Sequence, residues 1–263
     1  MPELPDVEVF RLVVEDTCLD RRVHRGMVSD PALLAGISKE KLEAAVQGAA
    51  VQSAKRHGKH LFIGLGEAGW LELHFGMTGF LQFFPDSRGA SSHERFRLEF
   101  NDSSRLVYDC QRKLGQIGLI QDIESLVRRK GLGPDPCAES MDSERFASML
   151  SKKRGSVKSA LMDQSFLAGI GNVYADEILL AAGLHPRTKV QILGRQDSVR
   201  LYETMQSTIS EAVRRGADPE QMPDFLVAQR GKDGKCPRCG GPLEKITVSS
   251  RSTYFCPHCQ GEG

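Results

Sequence analysis

Four of the seven cysteines constrain the fold of this chain's C-terminal end more than any other feature of the sequence. They form two CxxC pairs separated by sixteen residues: Cys236, Cys239, Cys256 and Cys259. This spacing is typical of a tetrahedral zinc site, in which each CxxC turn directs two sulfurs at one ion. Two disulfides fit poorly with a cytosolic chain, and a redox-active CxxC needs only one pair. We therefore predict one structural zinc ion, because four cysteines leave no coordination position open.

Composition and charge leave several function classes open. The 263 residues suffice for two modest domains, with 40% hydrophobic and 26% charged residues. No apolar run has the length of a membrane span and the acidic start is unlike a signal peptide, so we expect a cytoplasmic protein. The net charge is only +1, but residues 152–158 carry four positive charges and no negative one. Such a patch can bind phosphates, although a solvated surface explains it equally well.

The periodicity of apolar residues changes twice along the chain. Residues 5–14 predict a helix, because Val7, Phe10, Val13 and Val14 share one helical face. Alternation then predicts strands at His60–Leu65, Trp70–Phe75, Phe80–Phe84, Arg95–Phe100, Arg105–Asp109 and Gln116–Gln121. Helical patterns follow at Ser143–Ser151, Val157–Asp163, Asn172–Ala182 and Arg195–Gly216.

These patterns predict an α+β protein of several domains. Consecutive strands with short turns favour an N-terminal antiparallel β-sandwich with flanking helices at residues 1–130. The Gly- and Pro-rich run that begins at Gly131 predicts a linker at 131–142. We expect a helical domain at 143–227 and a zinc-ribbon β-hairpin at 228–263.

A glycine-rich turn, Gly169–Asn172, joins two of the predicted helices. Glycines let backbone N–H groups approach a phosphate, and Asn172 would cap the following helix at its positive end. A simple corner between helices is the alternative, and the upstream Lys153 and Lys158 favour phosphate binding. Nearer the C-terminus, a hairpin turn at Ser249–Thr253 would direct Arg251 outward, either onto a phosphate or merely into solvent.

Pro2 follows the initiator methionine, and a small second residue usually permits removal of Met1. A free prolyl nitrogen is a secondary amine that can form an iminium with an aldehyde carbon. It would precede a helix start, whose positive end disfavours protonation of the amine, and the adjacent Glu3 could serve as general acid. Many chains begin Met-Pro, so an N-terminus without chemical function is the alternative.

Taken in order, these motifs resemble the formamidopyrimidine-DNA glycosylase/endonuclease VIII family over essentially the whole chain. The matching segments are residues 1–8, Arg56–His60, Leu73–Gly79, Lys158–Asp163 and Gly169–Asn172. The last two resemble the family's helix–two-turns–helix motif. Asp6 stands where glutamate is usual, and Leu4 places the chain closer to the formamidopyrimidine branch.

The resemblance implies a bifunctional DNA glycosylase and AP lyase of base excision repair. Pro2 would attack C1′ of a flipped-out oxidised or ring-opened nucleotide, with Glu3 assisting opening of the sugar. β- and δ-elimination would then cut the strand on both sides of the lost base, without a redox cofactor. Lys59 would be the family's catalytic lysine, and Arg251 its zinc-finger arginine, which is implicated in δ-elimination.

The resemblance also implies damaged double-stranded DNA as the partner of a monomeric protein that works at a bacterial nucleoid. The side chains implied in DNA contact are His74, Met77, His93, Arg112, Leu114, Lys153, Lys158 and Asn172. Met77 and Arg112 would act as wedges in the emptied base stack.

Two departures from the family pattern concern the lesion. Formamidopyrimidine-type members usually read Arg-Arg-Phe-Gly where this chain has Arg112–Gly115, so Leu114 replaces a stacking ring. The segment from Leu226 to Cys236 is shorter than in members whose capping loop encloses 8-oxoguanine. Ring-opened purines, hydantoins and oxidised pyrimidines are therefore candidate substrates as well.

Two rival functions are a lesion-binding protein that does not cut DNA and a zinc-ribbon factor for transcription or RNA binding. Pro2, Glu3 and Lys59 together argue against the first, because binding alone needs none of them. The second predicts binding with no preference for damaged DNA.

Overall fold

The computed structural model describes residues 1–86, 88, 91–231 and 233–261, and the chain forms two compact units. The first unit contains Met1–Pro2 and Asp6–Lys130. The second contains Glu3–Pro5 and the chain from Gly131 onward. The segment Glu3–Pro5 therefore belongs with the C-terminal half of the chain, although the residues on both sides of it belong to the first unit.

The first unit contains two four-stranded antiparallel sheets with the orders β1-β6-β7-β5 and β2-β3-β4-β8. Its elements are α1 (Leu4–Cys18, which begins in the second unit), β1 (Val23–Val28), α2 (Lys39–Val46), β2 (Ser53–His57), β3 (His60–Gly64), β4 (Trp70–His74), β5 (Gly79–Phe84), β6 (Glu94–Phe100), β7 (Arg105–Cys110), β8 (Gln116–Ile120) and α3 (Ile123–Arg129). Both sheets bury their apolar faces in one core: Leu61 and Leu71 come from one sheet, and Phe96 and Leu98 from the other. The predicted sandwich is confirmed.

The six strands predicted from alternation are confirmed as β3 to β8, each with ends within one residue of the prediction. The pattern does not reveal β1, because a register shift between Val23 and Arg25 breaks the period of two. It does not reveal β2 either, since this edge strand reads Ser-Ala-Lys-Arg-His and fully buries only Ala54.

The second unit contains α4 (Ser143–Leu150), α5 (Val157–Met162), α6 (Asn172–Ala182), α7 (Arg195–Arg214) and the hairpin β9 (Glu244–Val248) to β10 (Arg251–Phe255). The side chains of Asp142 and Ser156 cap α4 and α5, and Gly183 ends α6 with a left-handed φ of 69°. Leu4 is buried in the core of these helices. Within the described ranges, no helix combines the length and apolar character needed to cross a membrane.

The β9–β10 hairpin turns at Ser249 and Ser250, whose φ angles are 48° and 59°. Two consecutive left-handed residues form the type I′ turn that matches the twist of a two-residue hairpin. Arg251 pairs with Val248 directly after the turn and is exposed. The predicted hairpin with an outward arginine is confirmed.

Candidate active site and zinc centre

Glu3 is anchored to the start of α6 by its side chain. The carboxylate is 1% exposed and accepts hydrogen bonds from the backbone N–H groups of Gly171 (2.9 Å), Val173 (2.9 Å) and Tyr174 (3.1 Å). Backbone donors and the positive end of the helix dipole make this a binding place for an anion. The anion is a side chain of the protein itself, so these three N–H groups do not hold a phosphate. This corrects the expectation for the glycine-rich turn.

Gly171 makes this anchor sterically possible. A Cβ atom at this position would lie 2.3 Å from Cδ of Glu3, far inside van der Waals contact. Gly171 also takes the N-cap position of α6 and has no side chain of its own to cap the helix, so the Glu3 carboxylate accepts the first N–H groups instead. The expectation that Asn172 caps the helix is therefore wrong. Asn172 is instead the first helical residue, and its Nδ2 donates to the backbone oxygen of Ser252 at 2.9 Å.

Pro2 directly precedes the anchored Glu3 and is half-buried, whereas Met1 is 55% exposed. The backbone N–H of Leu4 donates to the oxygen of Gly169 at 3.1 Å, which adds a second tie just after Pro2. The chain therefore fixes the residue that follows the candidate nucleophile. The Pro2 nitrogen becomes a secondary amine once Met1 is removed.

Lys59 lies in the tight turn between β2 and β3, beside Gly58 with a left-handed φ of 57°. Arg56 holds one side of this turn, since its guanidinium donates to Glu8 at 2.7 Å and to the oxygen of Gly58 at 3.1 Å. Lys59 itself is half-buried. Two hydrogen bonds of Arg56 thus hold one side of the turn that carries the Lys59 amine.

A buried acid that sequence reasoning missed holds the other side of the Lys59 turn. Glu72 of β4 is 3% exposed, and its Oε1 lies 2.9 Å from Nδ1 of His60 and 3.3 Å from Nζ of Lys130. Burial by itself would raise the pKa of Glu72, but the hydrogen bond to His60 and the charge of Lys130 bring it below its ordinary value. The only sequence signal was a charged residue inside the apolar run Trp-Leu-Glu-Leu.

Two adjoining loops of the first unit present apolar side chains to solvent. Met77 is 41% exposed and Leu114 is 51% exposed. The loops touch, because the N–H of Arg112 donates to Oγ1 of Thr78 at 3.0 Å. Phe80, at the start of β5, is 53% exposed and was predicted only as a strand residue. Clustered exposed apolar groups of this kind usually mark a binding surface.

The two histidines predicted to contact DNA are both half-buried in the first unit. Nδ1 of His74 accepts the N–H of Gly76 at 3.3 Å, and the ring lies 4.7 Å from that of His60. Burial, together with the positive charges nearby, lowers the pKa of His74 to about 4, so the imidazole is neutral at pH 7. His93 is held through its N–H, which donates to Asp109 at 2.9 Å.

The basic residues predicted to contact phosphates differ in whether their side chains reach the surface. Lys153 is half-buried and pairs with Asp163 at 2.5 Å, and Arg251 is exposed. Lys158 has no exposed surface, and its Nζ lies 2.5 Å from Oδ1 of Asp176. A fully buried ammonium cannot reach a DNA phosphate in this structure. The expectation of a DNA contact by Lys158 is therefore corrected to a structural ion pair.

The four cysteines of the finger converge on one point. Their Sγ atoms all lie within 4.8 Å of one another, with 3.8 Å between Cys236 and Cys259 and 3.5 Å between Cys239 and Cys256. Four thiolates around Zn²⁺ with Zn–S bonds of about 2.3 Å would be about 3.8 Å apart. The geometry therefore fits one tetrahedral zinc ion. With all four positions filled by thiolates, its role is structural.

Comparisons with known families cover most of the chain. Residues 1–117 match the formamidopyrimidine-DNA glycosylase N-terminal domain, and residues 132–223 match the H2TH domain of the same enzyme. Residues 234–261 match the zinc finger found in FPG and IleRS. The three matches follow the chain in the order that the resemblance implies.

Relatives that match nearly the whole of this chain also carry the name formamidopyrimidine-DNA glycosylase. The formamidopyrimidine-DNA glycosylase of Geobacter metallireducens is 35% identical over 99% of this chain and 100% of its own length. That of Arabidopsis thaliana is 30% identical over 99% of this chain and 71% of its own length.

Solved structures of formamidopyrimidine-DNA glycosylases superpose on nearly the whole of this chain. The Lactococcus lactis formamidopyrimidine-DNA glycosylase bound to DNA with an AP site superposes with a TM-score of 0.88, at 28% identity over 99% of this chain and 100% of that one. MutM in complex with DNA containing carbocyclic 8-oxo-G gives a TM-score of 0.87 at 27% identity, with the same coverage of both chains.

Proposed function

This chain belongs to the formamidopyrimidine-DNA glycosylase family, and we propose that the nitrogen of Pro2 is its nucleophile. The protein is a DNA glycosylase of base excision repair, with the AP lyase activity of its family. The anchoring of Glu3 carries the proposal, because three backbone N–H groups fix the residue next to Pro2. A nucleophile must be held close to one geometry to attack efficiently.

The proposed reaction starts with a nucleotide flipped out of the duplex. The lone pair of the Pro2 nitrogen forms a bond to C1′ as the bond from C1′ to the base breaks, and ring opening leaves an iminium. Glu3 assists the opening of the sugar ring. Loss of a C2′ proton expels the 3′ phosphate, and a second elimination expels the 5′ phosphate, so that the strand is cut on both sides.

The described side chains suggest how DNA is held. Lys59, Lys153, Asn172 and Arg251 are proposed to contact the backbone, which positions the duplex without reading its sequence. Met77, Arg112 and Leu114 are proposed to form the surface that fills the space left by the flipped nucleotide, and the exposed ring of Phe80 is proposed to extend it. His74 and His93 are proposed to border this surface.

We also propose a division of labour along the chain. The sandwich at 1–130 supplies the nucleophile and the wedge loops, the helical domain at 143–227 anchors Glu3, and the finger at 228–263 supplies Arg251. Residues 131–142 link the first two. The substrate is damaged double-stranded DNA, and the enzyme acts as a monomer in the bacterial cytoplasm at the nucleoid.

The substrate base is proposed to be an oxidised or ring-opened base. Among the structural relatives, a Lactococcus lactis variant was solved with DNA containing Fapy-dG and MutM with DNA containing carbocyclic 8-oxo-G. In this chain, Glu177 accepts the N–H groups of Leu226 and Val227 at 2.8 and 2.6 Å, which ties down the start of the short segment that leads to the finger. We therefore propose ring-opened purines, hydantoins and oxidised pyrimidines as candidate substrates beside 8-oxoguanine.

Borohydride trapping on a duplex with an abasic site tests the proposal. The wild-type protein and an exposed-surface control, Glu124→Gln, should both give a covalent protein–DNA adduct. The double variant Pro2→Gly, Glu3→Gln should give little. No adduct from wild type, or an undiminished adduct from the double variant, would contradict the proposal and favour a lesion-binding protein without catalysis.

A further inference from the structure

A buried network of charges lies between the helices of the second unit and the zinc finger. Lys158 of α5 and Asp176 of α6 are both 0% exposed. Oδ1 of Asp176 accepts from Nζ of Lys158 at 2.5 Å, and Oδ2 accepts from Arg230 at 2.6 Å. One carboxylate thus holds two cations from different parts of the chain. Buried charges are retained only when they are paired and hydrogen-bonded in this way.

The network continues directly into β10 of the finger. Oδ2 of Asp176 also accepts the backbone N–H of Tyr254 at 3.1 Å. Nζ of Lys158 donates to Oγ1 of Thr253 at 2.6 Å, and this hydroxyl donates in turn to the backbone oxygen of Arg251 at 3.2 Å. A chain of hydrogen bonds therefore runs from the buried carboxylate to the backbone of the exposed arginine.

The residues around Arg251 are tied to α5 and α6 at further points. The hydroxyls of Ser159 and Ser249 lie 2.5 Å apart, and Nδ2 of Asn172 donates to the oxygen of Ser252 at 2.9 Å. Arg230 reaches the oxygen of Asn172 at 3.3 Å as well as Asp176. The turn before Arg251 is thus fixed against α5, and the strand after it against the start of α6.

We propose that Asp176 is a positioning residue that sets Arg251 against the start of α6 for the second elimination step. This inference rests on the proposed function and on the part in δ-elimination that the family resemblance implies for Arg251. Asp176 and Lys158 touch neither DNA nor Pro2 in this role. They fix the backbone from which the guanidinium extends, and small displacements of such a group reduce the rate of a step strongly.

The test is the ratio of δ- to β-elimination products on a duplex with an abasic site, resolved by the end groups of the cut strand. The variants are Thr253→Val, which interrupts the hydrogen-bond chain without removing a charge, and Asp176→Asn. Thr253→Ser retains the hydroxyl, and Asp16→Asn is an exposed-surface control from the first unit. Only folded, active molecules cut the strand and contribute products. The product ratio of a partly unfolded variant can therefore still be compared with that of wild type.

We expect the δ-to-β ratio to fall at least about tenfold in Thr253→Val and Asp176→Asn, as displacement of an aligned group predicts. Borohydride trapping per active molecule should be unchanged, and Thr253→Ser and Asp16→Asn should keep the wild-type ratio.

An unchanged ratio in both test variants overturns the inference and leaves the proposed function intact. A wild-type protein that forms no adduct overturns the proposed function and the inference together, and one that performs β-elimination alone overturns the role of Arg251 and this inference.

Discussion

At the residue scale, Glu3 and Gly171 depend on one another. The carboxylate needs the N–H groups at the start of α6, and it reaches them only because Gly171 has no side chain. Gly171 has a φ of −121°, an extended conformation that any residue can adopt. Its requirement is therefore for space and not for backbone freedom.

Gly171→Ala should consequently displace Glu3 and slow catalysis. Overpacking of a tight contact costs about 1–3 kcal/mol of stability, and misplacement of the residue next to the nucleophile should lower the single-turnover rate of strand cleavage by about 10- to 100-fold. Gly231→Ala is the matched control, because a Cβ there meets nothing within 4 Å. A Gly171→Ala enzyme as fast as the control would show that the anchor is not needed for the chemistry.

His74 should make the stability of the fold depend on pH. Burial lowers its pKa from 6.5 to about 4, so between these values the unfolded chain binds a proton that the folded chain does not. The contribution of His74 to the free energy of unfolding should therefore be fully present above pH 6.5 and be lost as the pH falls towards 4. This contribution is at most about 3 kcal/mol.

Guanidinium denaturation of wild type and His74→Gln at pH 7 and pH 4.5 measures this effect. Taking the difference between the two proteins cancels the acid sensitivity of the zinc thiolates, which both share. Wild type should lose more stability than the variant on acidification. An equal loss in both proteins would show that His74 is as easily protonated in the fold as in the unfolded chain.

At the scale of elements, regular patterns were predictable and isolated charges were not. Alternation in Arg95–Phe100 leads directly to β6, since one face of the strand packs in the core. Lys158, by contrast, looks like its neighbours in the basic run 152–158, and only the packing of α5 against α6 shows that it is buried. Its partner Asp176 lies eighteen residues away, so no local pattern reports the pair.

Removal of zinc from the finger should weaken the binding of the protein to DNA. Cys236 and Cys256 belong to a small core with Leu180 of α6 and Leu226, and Arg238 donates to the oxygen of Leu180 at 2.7 Å. Without zinc the cysteine turns become disordered, and β10 is then no longer held in place. Affinity for an abasic duplex should weaken at least about tenfold, or about 1.4 kcal/mol.

Fluorescence anisotropy before chelation, after chelation and after return of zinc measures this loss. Affinity should recover with zinc and not with magnesium. Full affinity in protein shown by metal analysis to lack zinc would mean that the finger contributes nothing to binding.

At the scale of the whole molecule, the order of motifs along the chain was more informative than any one of them. The cysteine spacing alone predicted the metal site, and its geometry agrees. Pro2 alone predicted very little, and the chemistry assigned to it follows from Glu3, Lys59, Asn172 and Arg251 in sequence. Sequence reasoning could not place Glu3 against the start of α6, because the two are 168 or more residues apart and meet only in the folded chain.

The most direct test of the account is to locate the covalent bond. The protein is trapped on an abasic duplex with borohydride, digested with protease and nuclease, and analysed by mass spectrometry. The account predicts that the sugar remnant is attached to the nitrogen of Pro2 in a peptide that lacks Met1. An adduct on Lys59 or another amine, or on a peptide that retains Met1, would contradict it.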